Sequence, residues 1–168
     1  MIGPIYLVGS LRQERIIEVA TALRNEGFDP FDDWYAAGPI ADDSWQAYEE
    51  GRGRTYQEAL QGYAAKHVFE FDLHHLNRSK AGVLVLPAGK SGHLEIGFLA
   101  GQGKPTFTLF DKVPDRWDVM YQFTIPCFSI EELVAGLIGM VVKPAMRPKR
   151  VGEFVATPTG VVWVEAMP

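Results

Sequence analysis

The sequence predicts an α/β protein whose sheet is mostly parallel and is flanked by helices. Three apolar runs typical of strands, residues 5–8, 82–87 and 106–110, alternate with stretches of helical periodicity. Strands separated by helices need crossover connections, which make neighbouring strands parallel. The run at 82–87 is apolar without alternation, as in a strand covered on both faces. The expected layout is flavodoxin-like and Rossmann-type, with an antiparallel C-terminal β-hairpin as an appendage.

The first strand ends at Gly9, and apolar residues at helical spacing from Ile16 onward predict a helix that stops at Gly27. Residues 28–55 are rich in Asp, Gly and aromatic residues and show little periodicity. The expectation here is a long loop, and its aromatic content argues against disorder. A loop of that length in a compact domain is either functional or a sign that the assignment is wrong.

The second half of the domain continues the alternation. Residues 56–78 contain no proline and place apolar side chains on one face, which predicts one long helix carrying Asp72. The central strand then leads through a glycine-rich turn into a helix over 93–102, which Gly103-Lys104-Pro105 ends. Capping-box spacing at 129–132 precedes a last helix over 133–142.

The C-terminal part has a different character. A proline-rich, basic connector at 144–150 is followed by two predicted strands around a Pro-Thr-Gly turn, within 153–165. We therefore divide the chain into an α/β domain at 1–142 and a linker with a hairpin extension at 143–168.

Composition limits the possible functions. The 168 residues are about one domain's worth, and 47% hydrophobic with 22% charged residues is ordinary for a globular protein. The net charge of −5 gives no electrostatic footprint for a nucleic-acid polymer. The single cysteine, Cys127, cannot form an internal disulfide, and the longest apolar run is too short to cross a bilayer. A cytoplasmic protein without a membrane partner is the expectation.

Two predicted strand ends carry polar residues where ligands bind in open α/β sheets. Gly9-Ser10-Leu11-Arg12 offers backbone N–H groups, a hydroxyl and a guanidinium, which suit a phosphate. The alternative is that Ser10 caps the helix and that Arg12 is merely solvated. At the second strand end, Glu95 follows the turn formed by Gly89, Lys90, Ser91 and Gly92. A glutamate there could equally be a solvated residue favoured by the helix dipole.

Several common motifs are missing. Gly89-Lys90-Ser91 follows a strand, but a P-loop would need glycine at position 84, where the chain has leucine. No G-x-G-x-x-G follows the first strand, and no G-x-S-x-G is present. The four histidines do not form a metal-binding pattern, so no metal ligands are predicted.

Four segments occur in a fixed order: Pro-Ile-Tyr-Leu-Val-Gly-Ser at 4–10, the helical Asp72, Leu-Val-Leu-Pro-Ala-Gly-Lys-Ser-Gly-His-Leu-Glu-Ile-Gly at 84–97, and Gly-Gln-Gly-Lys-Pro at 101–105. Together they resemble the nucleoside 2-deoxyribosyltransferase superfamily over residues 4–110. The resemblance implies cleavage of the N-glycosidic bond of a small nucleoside or nucleotide, with no cofactor. The helix with Asp72 usually ends in Ala-Asp in this family, whereas this one ends differently.

The resemblance also implies roles for individual residues. Glu95 would be the nucleophile, Tyr6 would orient it, and Asp72 would lie near the sugar and the departing base. Gly9, Ser10 and Arg12 resemble the loop that holds the 5'-phosphate in the 2'-deoxynucleoside 5'-monophosphate N-glycosidase branch. Residues that would join them in binding substrate are Gly89, Ser91 and Gly92.

The chemistry is consistent with these roles. Cleavage of the C1'–N bond builds positive charge on the sugar, which an ionised Glu95 can stabilise or trap covalently. A second carboxyl group, Asp72, can protonate the base or hold sugar hydroxyls.

Hydrolysis of a (deoxy)nucleoside 5'-monophosphate is therefore the first hypothesis. A nucleoside 2-deoxyribosyltransferase is the alternative, and a non-catalytic nucleotide-binding module is a third. A homo-oligomer is also expected, because the family tends to complete its sites across subunits and the terminal hairpin is apolar.

Overall fold

The computed structural model describes residues 2–142, 152–157 and 160–165, with side chains over 3–140. Its strands are β1 Ile2–Val8, β2 Phe28–Phe31, β3 Ala81–Val85, β4 Thr106–Leu109, β5 Ile125–Cys127, β6 Gly152–Thr157 and β7 Gly160–Glu165. Its α-helices are α1 Arg15–Asn25, α2 Ala41–Gly51, α3 Tyr56–Leu60, α4 Tyr63–Arg78, α5 Lys90–Gly101 and α6 Ile130–Val142. Single-turn 3-10 helices cover Asp33–Ala37 and Val119–Phe123.

Strands β1 to β5 form one sheet in the order β2-β1-β3-β4-β5, and all four pairings are parallel. The predicted flavodoxin-like α/β class is therefore confirmed. In this order the direction of winding reverses between β1 and β3, where ligands bind beyond the carboxyl ends of the strands. In the register there, Tyr6 lies opposite Gly82, and Val8 lies opposite Leu84.

The apolar core lies on both faces of the sheet, because successive strand residues point to opposite sides. Ile5 and Leu7 of β1 belong to a buried cluster with the apolar faces of α1 and α6. Tyr6 and Val8 belong to a second cluster, to which α4 contributes Leu76, and α5 contributes Ile96 and Leu99. The alternation of β1 thus directs the Tyr6 side chain into the layer of α4 and α5.

The expectation of a long loop over 28–55 is wrong. This segment holds β2, a 3-10 helix and α2, and α3 begins directly after it. A strand of only four residues that includes Pro30 is too short to show alternation. Two signals for α2 were present: an acidic first turn at Asp42 and Asp43, and Gly53 just beyond its end with a φ of +70°.

The single long helix predicted over 56–78 is two helices. Gly62 lies between α3 and α4 and is the N-cap of α4. A Cβ at this position would lie 3.0 Å from the carbonyl oxygen of Ala59 and 3.0 Å from the guanidinium of Arg54, which pairs with buried Glu49 at 2.9 Å. The interruption between α3 and α4 therefore lies directly against this ion pair.

The other predicted elements are present, with small shifts at their ends. Gly27 has a φ of +80° just after α1, as expected for a residue that stops a helix. The short strand β5 was not predicted. Strands β6 and β7 pair antiparallel, with Phe154 opposite Trp163, which confirms the predicted hairpin. The connector at 144–150 and the turn at 158–159 lie outside the described residues.

Candidate active site

Tyr6 lies in the middle of β1 with its ring in the layer of α4 and α5. Its hydroxyl donates a hydrogen bond of 3.1 Å to Oδ1 of Asp72 on α4. Burial and the neighbouring charges of Glu95 and Asp72 raise the pKa of Tyr6 far above its usual value. Tyr6 therefore stays protonated and acts as a donor to the carboxylate. The resemblance assigns Tyr6 to Glu95, whereas the hydrogen bond is made to Asp72.

Glu95 lies on the side of α5 that faces α4. Gln102, seven residues further along α5 and so on the same side, donates a hydrogen bond of 2.8 Å to Asn77 of α4. Burial, and after it the charge of Asp72, raises the pKa of Glu95 to about 8. Two carboxyl groups from separate helices thus interact electrostatically beneath the ends of β1 and β3.

The environments of the two carboxyl groups differ. Burial raises the pKa of Asp72 as well, although the hydrogen bond from Tyr6 offsets part of that rise. His75 opposes the rise only when it is protonated, and burial lowers its own pKa. Among the described residues, no neighbouring group lowers the pKa of Glu95 in this way. Of the two carboxyl groups, Glu95 is therefore the last to lose its proton as the pH rises. At neutral pH the pair therefore contains a protonated Glu95. Such a pair can serve acid and base chemistry at once.

The segment after β1 forms a turn that leads into α1. Gly9 packs tightly, because a Cβ there would lie 2.4 Å from Cδ1 of Ile16. The Oγ of Ser10 accepts a hydrogen bond of 3.2 Å from the backbone N–H of Arg12, and α1 begins only at Arg15. The alternative that Ser10 caps the helix is therefore wrong.

Arg12 is not simply solvated. Its guanidinium forms an ion pair of 2.6 Å with Oδ2 of Asp43 in the first turn of α2, and both side chains are largely exposed. The sequence predicts a loop over residues 28–55 and does not predict this contact. The ion pair links the turn after β1 to a helix that had been expected to be a loop.

The turn after β3 lies next to the turn after β1. Gly89 is the N-cap of α5, and its helix start has no side-chain cap, so the first N–H groups of α5 are open to a ligand. A Cβ at Gly92 would lie 3.1 Å from Cγ1 of Val8, so the start of α5 packs directly on the end of β1. Ser91 is exposed on this first turn. The two turns that the sequence singled out are thereby brought together.

An aromatic wall that the sequence analysis missed borders Asp72. The ring of Phe31 stacks on His75 at 3.9 Å between centroids, and it also contacts Tyr6 at 5.2 Å and Phe71 at 6.0 Å. Phe71 and His75 flank Asp72 on α4. Because Phe31 is the last residue of β2, the unpredicted strand supplies this wall.

On the other side of α5, His93 is held by two hydrogen bonds. Its Nδ1 lies 2.8 Å from the carbonyl oxygen of Gly89, which can only accept, so neutral His93 carries its proton on Nδ1. Its Nε2 then accepts from the hydroxyl of Tyr121 at 3.0 Å. These two residues border a cleft of about 790 Å³ beyond the end of β4. Neither Asp72 nor Glu95 lines that cleft.

Within the described residues, no group of three or more His, Cys, Asp or Glu side chains is placed to hold a metal ion. No helix in the same part of the chain combines the length and apolarity needed to span a membrane. Cys127 is buried in β5, and burial raises the pKa of its thiol to about 11, so it is an unreactive core residue.

Fold and site together define a flavodoxin-like α/β protein with a pair of interacting carboxyl groups at the β1/β3 switch point. No family model matches the sequence, and no curated protein matches it. Among solved structures, the chain is similar to the CMP N-glycosidase BcmB of Clostridium botulinum, with 12% identity and a TM-score of 0.48. That match covers 80% of this chain and 98% of the other.

Proposed function

We propose that this protein cleaves the N-glycosidic bond of a (deoxy)nucleoside 5'-monophosphate and transfers the sugar phosphate to water. The observation that carries the proposal is the placement of Glu95 and Asp72 on facing helices at the switch point, where the hydroxyl of Tyr6 donates to Asp72. Burial and the charge of Asp72 raise the pKa of Glu95, which favours one shared proton in the pair. Glycosidic cleavage consumes one proton and one carboxylate in its first step. A pair with one proton supplies both without a metal ion or a cofactor.

In the proposed first step, the proton that Glu95 holds at rest moves to Asp72, and Asp72 delivers it to the departing base. Glu95, now ionised, attacks C1' as the C1'–N bond breaks, and the bonding electrons leave with the base. The product is a glycosyl ester on Glu95, a neutral base and an ionised Asp72. Tyr6 stabilises the ionised form of Asp72, because its hydroxyl donates a hydrogen bond to that carboxylate.

In the second step, Asp72 removes a proton from a water molecule that attacks C1' of the ester. The C1'–O bond to Glu95 breaks, the free sugar phosphate leaves, and the pair again holds one proton. Two successive substitutions at C1' retain the configuration of the anomeric carbon. If a second base took the place of water, the same residues would perform the transferase reaction.

The phosphate is assigned to the two turns around the switch point. Arg12 supplies a guanidinium, Ser10 a hydroxyl, and the start of α5 supplies N–H groups at the positive end of the helix dipole. Gly89, Ser91 and Gly92 belong to that helix start, and Gly9 allows the first turn to pack close to α1. A nucleoside without phosphate would leave Arg12 paired only with Asp43.

The test is release of free base from a panel of ribo- and deoxyribonucleosides and their 5'-monophosphates, measured by chromatography with and without an acceptor base. We expect release from monophosphates, abolished in Glu95→Gln and strongly reduced in Asp72→Asn. Glu18→Gln, on the exposed face of α1, is the matched control and should behave as wild type. Exchange of bases only in the presence of an acceptor would establish the transferase instead. Equal inactivity of wild type and Glu95→Gln on every substrate would overturn the proposal.

The phosphate assignment has its own test. Arg12→Ala should raise KM for monophosphates at least tenfold and leave any nucleoside turnover nearly unchanged. Arg78→Ala provides the control, because Arg78 is exposed at the end of α4 that leads into β3, at the opposite edge of the sheet. A similar loss in both variants, or none in Arg12→Ala, would count against phosphate binding at this turn.

A further inference from the structure

The cleft of about 790 Å³ lies at the edge of the sheet where ligands bind in open α/β folds, on the side of β4. It is bordered by Leu86, which follows β3, and by Phe110, which follows β4. Its volume falls within the ~300 to 1,000 Å³ that is typical of small-molecule sites. None of the residues proposed above for catalysis or phosphate binding lines it. The described part of the chain therefore holds a second recess of ligand size.

Aromatic side chains supply much of the lining. Phe110 is buried at the end of β4, and its ring lies edge-on to that of Tyr121, with 5.1 Å between centroids. Trp117 lines the cleft from the loop between β4 and the 3-10 helix Val119–Phe123, and 83% of this residue is exposed. An indole ring that borders a recess and is open to solvent is a surface on which a planar ring can stack. The lining therefore favours a ligand that contains an aromatic ring.

Four residues with charged side chains line the cleft, and three of them have partners close by in the chain. Asp111 and Asp118 each accept a hydrogen bond of 2.9 Å from a backbone N–H one or two residues further on. Nζ of Lys112 lies 3.8 Å from a carboxylate oxygen of Asp115. The fourth, Arg116, is exposed and makes neither a hydrogen bond nor an ion pair with any residue that the structure describes. Its guanidinium is therefore available to an anionic group of a ligand.

The wall of the cleft formed by α5 is fixed before any ligand arrives. His93 is hydrogen-bonded through one ring nitrogen to the carbonyl oxygen of Gly89 and through the other to the hydroxyl of Tyr121. These bonds hold Tyr121 against α5, and a wall that is already ordered lowers the entropic cost of binding. Both ring nitrogens of His93 are occupied, so recognition of a negative charge falls to Arg116.

We infer that this cleft is a second ligand site, separate from that of Glu95, and that it binds a nucleoside 5'-phosphate with an amino group on its base. The base stacks on Trp117, and the phosphate binds the guanidinium of Arg116. The carboxylates of Asp111 and Asp118 repel a second anionic group, but their remaining oxygens accept hydrogen bonds from an amino group. A nucleotide carries its base and its phosphate at opposite ends, so one molecule meets both requirements. This inference goes beyond the proposed function and does not depend on it.

The test measures binding of AMP by isothermal titration calorimetry to the full chain carrying both Glu95→Gln and Arg12→Ala. This parent variant lacks the proposed nucleophile and the proposed phosphate-binding guanidinium, so its binding reports the cleft. We expect one AMP per chain. Adding Arg116→Ala or Trp117→Ala should weaken binding at least tenfold, through loss of the phosphate contact or of the stacked base. Arg78→Ala is the matched control, because Arg78 is also exposed but lies at the opposite edge of the sheet, and it should leave binding unchanged.

Related ligands test each contact separately. Adenosine and inorganic phosphate should each bind at least tenfold more weakly than AMP, because each keeps only one of the two contacts. IMP, which has an oxygen in place of the amino group, should also bind more weakly. Absence of AMP binding up to ~1 mM would overturn the inference. So would binding that survives both Arg116→Ala and Trp117→Ala, or adenosine that binds as tightly as AMP. No turnover is measured, so failure of the proposed function would leave these results unchanged.

Discussion

The half-buried carboxyl of Glu95 should make the stability of this protein fall as the pH rises, and Glu95→Gln should remove most of that dependence. Burial and the charge of Asp72 raise the pKa of Glu95 from 4.5 to about 8 in the folded protein. Between these two values the folded chain holds a proton that the unfolded chain releases. The stabilisation is therefore complete below about pH 4.5 and is lost as the pH rises through about 8.

The size of the effect follows from the same pair of values. A difference between 4.5 and about 8 corresponds to at most ~5 kcal/mol, at ~1.4 kcal/mol for each pH unit. For a chain of this size, 1 kcal/mol shifts the unfolding midpoint by ~2 to 4 °C. We expect the midpoint of wild type to fall by up to ~10 to 20 °C between pH 5 and 9, relative to Glu95→Gln. Glutamine keeps the shape of the side chain but cannot ionise.

The assay is thermal unfolding followed by circular dichroism at several pH values from 5 to 9, at constant ionic strength. Glu18→Gln, which removes an exposed carboxyl on α1, should follow the wild-type curve. The reasoning is refuted if wild type and Glu95→Gln lose stability in parallel over this range. It is refuted equally if Glu95→Gln proves the more sensitive of the two.

Three further predictions concern the same site. Tyr6→Phe removes the hydrogen bond that lowers the pKa of Asp72, so the acid limb of the pH–rate profile should move to higher pH; an unmoved limb would argue against this contact. Asp72→Asn removes the charge that helps to raise the pKa of Glu95, so in melts of this variant the loss of stability with rising pH should be smaller and should be complete at lower pH. Asp43→Asn frees Arg12 from an exposed ion pair, and KM for monophosphates should fall about two- to fivefold with kcat unchanged; a rise in KM would show that Asp43 positions Arg12.

Much of the fold follows from local patterns in the sequence. The apolar run at 82–87 predicts a central strand because a strand buried on both faces needs no polar residues, and β3 is buried along its whole length. The end of α1 at Gly27 is predicted because only glycine enters that backbone conformation without strain. Short elements escape such reasoning: β5 has three residues, and β2 contains a proline.

In the candidate site, too, the sequence predicts individual residues but not the contacts between them. The sequence suggests Tyr6, Asp72 and Glu95 as separate residues on a strand and two helices. It contains no sign that Tyr6 donates to Asp72, because the two residues are 66 positions apart in the chain and only tertiary packing brings them together. The ion pair of Arg12 with Asp43 is not predicted for a related reason, because the sequence indicates a loop where α2 forms.

By itself, then, the sequence determined the α/β class, the order of most elements and the identity of the polar residues at the strand ends. These depend on periodicity, glycine positions and residue chemistry, all of which are local properties. Folding is what surrounds Glu95 with apolar groups and brings Asp72 near it, so that its pKa is raised, and folding is what leaves Arg12 exposed beside Asp43. Ionisation and exposure depend on which groups surround a side chain in space, and the chain fixes those neighbours only when it folds.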